Sequence, residues 1–400
     1  MNSTISGAAG PGANLSALRS HNAALVLRLL RDAGEDGVSR LELADRTGLT
    51  PQAVSKITAR LRAEGLAAEA GQRASTGGKP ATALRLVPGA RHAVGLHLDR
   101  DELTAVLVDL AGTPVAARTA PFDFGAGADQ ALAAATAEVR ALLADAGGAV
   151  GGGLGGAGGG GLGGALGDGC GGEVGGGTGG PPGGGLLGVG VAAPGPLDHG
   201  SGVLHRVTGF PQWDGFPLRA ALAERLALPV VLDKDTNAAA LGLTTAGTAE
   251  SSAYLHLGTG LGAGLVLGGG VYRGARTDAG EFGHQVIQLD GPPCGCGNHG
   301  CLEALCLAAV ARGDRKDAAR LLGVGAANLV RLLDIDRVLL GGRVVLADPE
   351  PYVRGVAAML AEDAARTSRP TVPVGIVERG GRAVVEGAAR LVLAPLFALG

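Results

Sequence analysis

The chain has 400 residues, enough for two or three domains and a substantial buried core. No run of eighteen or more large apolar residues occurs, which excludes a membrane-spanning helix, and the 74 glycines follow no Gly-X-Y period, which excludes a collagen. The net charge of −3 conceals an asymmetry, because residues 15–88 contain eleven Lys/Arg against seven Asp/Glu and the remainder is acidic. A basic amino-terminal module on an acidic body is typical of a nucleic-acid-binding protein with a second domain, although ordinary surface variation gives a similar excess.

Residues 1–14 are polar and rich in glycine and alanine, with neither a basic segment nor an apolar one. This composition predicts a disordered tail rather than a secretory signal, and we expect a cytoplasmic protein.

The next segment predicts three helices. Apolar residues at helical spacing favour a helix over 15–33, and Ser39 with Glu42 has the spacing of a capping box. Gly48 is a typical helix end, and Thr50-Pro51 a typical helix start. Two short helices joined by a tight glycine turn predict a helix-turn-helix, although a small helical bundle shows the same pattern.

The exposed face of the last of these helices carries short polar and basic side chains that can reach base edges and phosphates. These are Thr50, Gln52, Ser55 and Lys56. Segments 66–70 and 81–87 predict the two strands of a wing with Lys79 near its tip. We therefore expect residues 15–88 to bind operator DNA, with Gln52 and Ser55 at bases and Lys56 and Lys79 at phosphates or the minor groove.

From residue 93 onwards, strands alternate with helices, which predicts an α/β body over 90–400. The predicted strands are 93–98, 103–109, 115–119, 229–233, 254–257 and 262–267, and the predicted helices are 129–146, 217–226, 317–333 and 350–366. Segment 147–185 is dominated by glycine and lacks the Lys-Ser/Thr ending of a phosphate loop. We predict that it is a flexible insert.

Four of the five cysteines fall between residues 294 and 306. One imidazole and three thiolates satisfy tetrahedral zinc as a closed structural site, and the candidate ligands are His284, Cys294, Cys296 and Cys301. A disulfide is the alternative, although thiols in Cys-x-Cys close poorly and an intracellular compartment is reducing. His299 is a rival nitrogen ligand, and Cys306 is expected to be buried on the following helix.

Asp235 and Asn237 follow a buried strand at the start of a helix, where α/β sheets place ligand-binding groups. A carboxylate there is suited to general-base chemistry on a sugar hydroxyl, and a helix cap is the alternative role. Glu281 and Glu303 flank the cysteine segment, where they are suited to binding hydroxyls or else lie on the solvated surface. Segment 257–264 alternates glycines in a way that suits a phosphate or sugar contact, a weak signal in a glycine-rich chain.

Segment 279–284, continued by 293–303, closely resembles the signature of the ROK family (repressors, open reading frames and sugar kinases). Segments 191–196, 235–242 and 257–264 resemble its other landmarks. The amino-terminal region is similar to the winged helix of the repressor branch, the xylose-repressor and N-acetylglucosamine-repressor type.

The resemblance implies a two-lobed actin-like (ribonuclease H-like) fold with a sugar cleft between the lobes. The implied sugar-binding residues are Asp235, Asn237, Glu281, His284 and Glu303, with Asp235 at the position of a kinase base and His284 also on structural zinc. The implied partners are operator DNA, a small sugar or sugar-phosphate effector, and further copies of the chain.

The chain also departs from the family pattern. Sugar kinases of the family hold ATP phosphates with an Asp-x-Gly-Gly-Thr loop, whereas segment 97–102 here has no glycine and three carboxylates, so we expect no kinase activity. Lys234 stands where the family has asparagine, the asparagine expected before Trp213 is missing, and the stretch 304–313 is shortened. An ATP-dependent sugar kinase and a regulator with a degenerate effector domain are the alternatives to a sugar-responsive repressor.

Overall fold

The computed structural model describes residues 15–72, 82–147, 185–244, 250–377 and 380–398. The predicted tail, the tip of the wing with Lys79, and the predicted glycine-rich insert apart from its two end residues lie outside these ranges. Within the described ranges, no helix combines the length and the apolar character needed to cross a bilayer.

The amino-terminal elements form a winged helix-turn-helix. In chain order they are α1 (Leu15–Asp32), β1 (Val38–Ser39), α2 (Arg40–Thr47), α3 (Pro51–Ala63), β2 (Ala67–Gln72) and β3 (Thr82–Leu86). The strands form one antiparallel sheet in the order β1-β3-β2. The three predicted helices and both predicted wing strands are confirmed. The two-residue strand β1 was not predicted, because two residues carry no periodicity.

Local hydrogen bonds explain where α2 and α3 begin and end. The Glu42 N–H donates to Ser39 Oγ at 3.2 Å and the Ser39 N–H donates to Glu42 Oε2 at 2.8 Å, which confirms the capping box. Gly48 ends α2 with a φ of 68°, and Thr50 caps α3 by accepting the Ala53 N–H. The sequence therefore fixes the tight turn between the two helices locally.

The first lobe of the body is built on a five-stranded sheet. Its elements are β4 (Arg91–Leu98), β5 (Glu102–Asp109), β6 (Pro114–Pro121), α4 (Ala128–Asp145), β7 (Gly185–Ala193), β8 (Leu197–Asp198), β9 (Val203–Leu204), α5 (Leu218–Leu226), β10 (Val230–Lys234) and α6 (Asp235–Leu243). The sheet order is β10-β7-β4-β5-β6, with β10, β7 and β4 parallel and the others antiparallel. Helices α4 and α5 cover one face.

The second lobe repeats this topology. Its elements are β11 (Ser252–Leu257), β12 (Leu261–Leu267), β13 (Gly270–Val271), α7 (Leu302–Ala311), α8 (Arg315–Leu333), β14 (Arg337–Gly341), α9 (Arg343–Ala347), α10 (Pro349–Thr367), β15 (Val374–Ile376) and α11 (Ala383–Leu393). Its sheet order is β13-β12-β11-β14-β15. Read from the opposite edge, β15-β14-β11-β12-β13, this is the order of the first lobe, with the first strand of each lobe at the centre. Two lobes of this topology are the actin-like arrangement expected from the resemblance, and the α/β prediction is confirmed.

Helices α6 and α11 form a tightly packed layer between the two sheets. A Cβ added to Gly264 of β12 would lie 2.0 Å from the Thr236 carbonyl oxygen, and one added to Gly190 of β7 would lie 1.8 Å from the Ala388 carbonyl oxygen. Glycine is required at both positions because helix backbone touches sheet backbone. Gly264 ends segment 257–264, whose alternating glycines gave a weak signal for a phosphate or sugar contact, and at this position the glycine serves packing.

Helix α11 also connects the body to the winged helix. Leu27 and Leu30 of α1 share one buried cluster with Val385 and Leu393 of α11 and with Phe397 beyond it. The guanidinium carbon of Arg31 lies 4.5 Å from the centre of the Phe397 ring. The amino-terminal domain therefore packs on the 394–397 turn that directly follows α11, and α11 itself packs against α6.

Candidate functional site

A cleft of about 670 Å³ lies between the two lobes. The first lobe contributes the β4–β5 turn and the loop after β9, and the second lobe contributes segments 259–262, 278–284 and 295–297. Asp235, at the start of α6, lines the cleft where the lobes meet. Four of the five predicted sugar-binding residues line this one cleft: Asp235, Glu281, His284 and Glu303.

Asn237 is the exception. Its side chain is fully buried and does not line the cleft, and its Nδ2 donates to Asp233 Oδ1 at 2.9 Å. The first turn of a helix places residues 233 and 237 on one face, so the amide reaches back to the end of β10. Asn237 therefore stabilises the strand-to-helix turn, and its role in sugar binding stays a prediction.

Asp233 is a fully buried carboxylate that joins the two lobes. Besides Asn237, it accepts hydrogen bonds from the Lys234 N–H at 2.8 Å and from Arg273 Nε at 2.7 Å. Arg273 follows β13, so this ion pair anchors the 272–284 loop of the second lobe to the sheet of the first. Sequence reasoning missed the pair, because the two residues are forty positions apart.

Lys234 is the second buried charge at the end of β10, with 3% of its surface exposed. Its Nζ donates to the Ala279 carbonyl oxygen at 3.0 Å and to Glu281 Oε1 at 2.6 Å. A buried ammonium needs such partners, and the pair in turn fixes the Glu281 carboxylate at the cleft. The only sequence signal was the replacement of asparagine by lysine at this position.

The acidic residues of the cleft are held in defined positions. The Thr236 N–H donates to Asp235 Oδ1 at 2.6 Å, which keeps that carboxylate at the helix start, and the Leu261 N–H donates to Glu303 Oε2 at 2.8 Å. Glu281 Oε2 lies 3.9 Å from His284 Nε2. Carboxylates fixed in this way suit the paired hydrogen bonds by which sugar hydroxyls are recognised.

The predicted metal ligands come together. Ligand atoms of His284, Cys294, Cys296 and Cys301 all lie within 4.8 Å of one another. The sulfurs of Cys296 and Cys301 are 3.7 Å apart, and the Cys294 sulfur is 3.7 Å from His284 Nδ1. A tetrahedral ion with Zn–S bonds of about 2.3 Å separates its sulfurs by about 3.8 Å. The donor set and its spacing therefore fit a tetrahedral metal ion.

The alternatives at this cluster fit less well. The four described cysteines are free thiols, and His299 lies outside the cluster. Burial raises the pKa of the Cys301 thiol to about 12 and also raises the pKa of Cys294. A bound cation would favour the thiolate forms that this buried environment opposes. Cys306 is fully buried on α7, as predicted, and its thiol faces the Ala318 carbonyl oxygen.

An ion pair joins the lobes at the β4–β5 turn. Arg343 Nη1, at the start of α9, lies 2.6 and 2.9 Å from the two carboxylate oxygens of Asp101. Asp101 belongs to segment 97–102, which the resemblance to the family predicts at the position of the phosphate loop. Arg343, which approaches this turn, is thus already paired with the carboxylate of Asp101.

The helix-turn-helix presents the predicted DNA-facing residues on one exposed surface. Gln52, Ser55 and Lys56 are exposed on α3, and Thr50 is exposed at its start, where its hydroxyl caps the helix. Arg46 at the end of α2 is also exposed and was not predicted. Lys79 lies outside the described residues.

Comparison with known proteins agrees with both halves of this architecture. Residues 24–67 match the family model for winged helix-turn-helix DNA-binding, and residues 182–309 match the model for the ROK family. The chain carries a winged helix-turn-helix and a ROK domain.

Individual relatives include both regulators and kinases. The chain is 27% identical to the xylose repressor of Bacillus subtilis (strain 168) over 66% of its own length and 61% of that protein. It is similar to a ROK hexokinase from Thermus thermophilus, with 29% identity, a TM-score of 0.56, and coverage of 75% of this chain and 97% of that one. The fold also matches a ROK family transcriptional regulator, a homologue of the E. coli MLC protein, with 20% identity, a TM-score of 0.70, and coverage of 95% and 98%. The chain spans 61–64% of the length of the first curated repressors that it matches.

The buried ion pair leads to a prediction about stability. Replacing Arg273 by glutamine leaves the Asp233 carboxylate buried with its charge uncompensated, so we expect Arg273→Gln to lower the free energy of unfolding by about 3 kcal/mol. Arg276→Gln is the matched control, because Arg276 is 85% exposed on the same loop and lies 3.8 Å from Asp278. The control should change stability by less than about 0.5 kcal/mol. Equal effects of the two substitutions in urea unfolding would contradict this role of Arg273.

Proposed function

We propose that the protein is a sugar-responsive transcriptional repressor whose winged helix binds operator DNA and whose interlobe cleft binds the effector. One observation carries the proposal: α1 of the winged helix packs on the 394–397 turn at the end of α11, and α11 packs against α6, which begins at Asp235 in the cleft. Helix α11 and the turn that ends it thus lie between the DNA-binding domain and the ligand cleft. The curated relatives named as repressors support the same function.

In this proposal α3 lies in the major groove, with Gln52 and Ser55 at base edges and Lys56 at a phosphate. Thr50 contributes chiefly by capping the helix, and Arg46 adds a second phosphate contact. The predicted contact of Lys79 with a phosphate or the minor groove concerns a residue outside the described ranges and stays a prediction. Repressors with one reading helix per chain bind two half-sites as dimers, so we propose that the chain acts as a homo-oligomer.

The effector, a small sugar or sugar phosphate, is bound in the cleft by fixed hydrogen-bonding groups. Asp235, Glu281 and Glu303 accept hydrogen bonds from ring hydroxyls, and His284 Nε2 faces Glu281 at the edge of the same surface. Ligand binding there changes the position of α6 against α11, and α11 transmits the change to α1. Such coupling requires that the ligand bind one lobe arrangement more tightly than the other.

We propose that the ion at the cysteine cluster is structural zinc, held by Cys294, Cys296, Cys301 and His284 Nδ1. The ion supplies positive charge that stabilises three thiolates and closes the 294–301 loop. Because His284 would use Nδ1 for the metal, its Nε2 remains free for a hydrogen bond at the cleft.

Kinase activity is not part of this proposal. Phosphoryl transfer needs a triphosphate and its metal ion held in line, which is mainly electrostatic positioning. In this chain Asp99 and Asp101 lie on the β4–β5 turn, and Arg343 is engaged by Asp101. The hexokinase likeness and the retained Asp235 favour the alternative of a sugar kinase, which activity measurements distinguish.

The DNA interface is tested by Lys56→Ala. Loss of one phosphate contact should weaken binding to operator and to unrelated DNA alike and reduce the slope of log K against log salt by about 0.9. Lys316→Ala, at an exposed lysine on α8, is the matched control and should change neither quantity. An unchanged salt slope for Lys56→Ala in a fluorescence anisotropy titration would argue against this placement of α3.

The metal proposal is tested by elemental analysis of freshly purified protein. We expect one equivalent of zinc per chain, loss of that zinc in Cys301→Ser, and a lower melting temperature in the same variant. Cys306→Ala, five residues along the chain and outside the cluster, should retain the zinc. A protein that is folded, active in DNA binding and free of metal would refute the proposal.

The absence of phosphorylation is tested by ADP release in the presence of ATP, magnesium and a panel of hexoses, pentoses and amino sugars. We expect no release above the sugar-free background for the wild-type protein. Asp235→Asn should weaken sugar-induced release from DNA and leave sugar-free operator binding unchanged. Sugar-dependent ADP release that Asp235→Asn abolishes would replace the repressor function by the kinase alternative.

A further inference from the structure

Two arginines on the first-lobe side of the cleft have no acidic partner in the part of the chain that the structure describes. Arg100 lies in the β4–β5 turn, and Arg206 lies in the loop after β9. Among the residues that the structure describes, no carboxylate oxygen lies within 4.0 Å of a nitrogen of either guanidinium. The other strong cations around the cleft are paired, since Arg273 contacts Asp233 and Lys234 contacts Glu281. Two guanidinium groups in one cleft, neither of them with a carboxylate partner among the described residues, are suited to bind an anion.

Arg100 is held by an aromatic support. Its guanidinium carbon lies 5.3 Å from the centre of the Phe210 ring, and Phe210 packs edge-on against Phe124 at 5.2 Å. Phe124 stacks on the fully buried Trp213 at 4.6 Å. An aromatic face positions a guanidinium without cancelling its charge. Arg100 is therefore oriented in advance and keeps its capacity to bind an anion.

Arg206 lines the same first-lobe side of the cleft. It precedes Val207, which accepts the Phe210 N–H at 2.9 Å through its carbonyl oxygen and anchors the loop in the first-lobe core. The loop that carries Arg206 thus also carries the ring that supports Arg100. Both cations face a cleft that also contains the sugar-binding carboxylates.

The acidic groups of the cleft are arranged differently. Glu281 and Glu303 belong to the second lobe and are engaged by Lys234 and by the Leu261 N–H. Asp99 is the acidic residue on the arginine side, and its Oδ1 accepts the backbone N–H of Arg100. The two arginines belong to the first lobe, and Arg100 Nη2 and Glu303 Oε2 approach the same point beside Gly260. An anion bound at Arg100 would therefore lie next to the Glu303 end of the hydroxyl-binding groups.

We propose that the effector is a sugar with an anionic substituent, a phosphate monoester or a carboxylate, which Arg100 and Arg206 bind. This inference rests on the proposed effector site, because the anion is part of the ligand whose hydroxyls contact Asp235, Glu281 and Glu303. A guanidinium offers two parallel N–H donors to a phosphate or carboxylate. Either arginine, or both together, can therefore bind such a group. A neutral sugar leaves both cations without a counter-charge.

The test is calorimetric titration of the full-length protein with matched ligands: glucose, glucose 6-phosphate and glucuronate, and N-acetylglucosamine with its 6-phosphate. We expect at least one anionic ligand to bind tenfold or more tightly than its neutral parent, with an affinity that falls as salt rises. Comparison of the phosphate with the carboxylate of the same sugar identifies the anion. Arg100→Gln and Arg206→Gln should each weaken binding of that ligand at least tenfold and leave the parent sugar within twofold.

Arg354→Gln is the matched control, because Arg354 is an exposed arginine on α10 that does not line the cleft. It should leave every affinity unchanged, and melting temperatures should show that all three variants are folded. A neutral sugar that binds at least as tightly as each of its anionic derivatives, and that releases operator DNA, would overturn the inference and leave the repressor function standing. Binding of no sugar in either form would overturn both the inference and the effector site, while operator binding tests the DNA-binding function separately.

Discussion

Two neighbouring charged residues, Asp233 and Lys234, are buried at the end of strand β10, and each is neutralised by the 272–284 loop of the opposite lobe. A buried charge without a partner costs several kcal/mol, so the loop cannot leave this position without a large loss of stability. The loop carries Glu281 and ends at His284, which connects it to the cysteine cluster. The geometry of the hydroxyl-binding groups and of the proposed metal site thus depends on the charges at one strand end.

The glycine- and alanine-rich composition has a structural use in the layer between the sheets. Helices α6 and α11 approach the sheets and each other so closely that a Cβ at Gly387 would lie 1.8 Å from the Ala238 carbonyl oxygen. Packing this dense resists continuous deformation, and a shift of one helix moves its neighbour. Because the winged helix packs on the 394–397 turn at the end of α11, such a layer is suited to carry a change from the cleft to the DNA-binding domain.

Features defined by short-range chemistry were predictable from the sequence. The capping box of Ser39 and Glu42, the left-handed Gly48 and the spacing of the cysteines each depend on a few neighbouring residues, and the structure contains all of them. The alternation of strands and helices in the sequence likewise predicted the α/β body.

Features that depend on distant residues were not predictable. The pairs of Asp233 with Arg273 and of Asp101 with Arg343 join positions forty or more residues apart, and no local pattern marks them. Asn237 was predicted to bind the ligand because it lies near the start of a helix that follows a buried strand. In the structure its side chain is buried and bonds to Asp233. Helix α11 was also not predicted, although its apolar residues follow a helical period and most of them are buried.

The central claim is that ligand binding in the cleft and operator binding at α3 are coupled. The most direct test is a double titration of the wild-type protein, which measures operator affinity by fluorescence anisotropy with and without each sugar, and sugar affinity by calorimetry with and without operator. Coupling is reciprocal, so the account predicts one sugar that weakens operator binding and an operator that weakens binding of that sugar by the same factor. A sugar that binds the cleft with full affinity whether or not operator is bound would contradict the account.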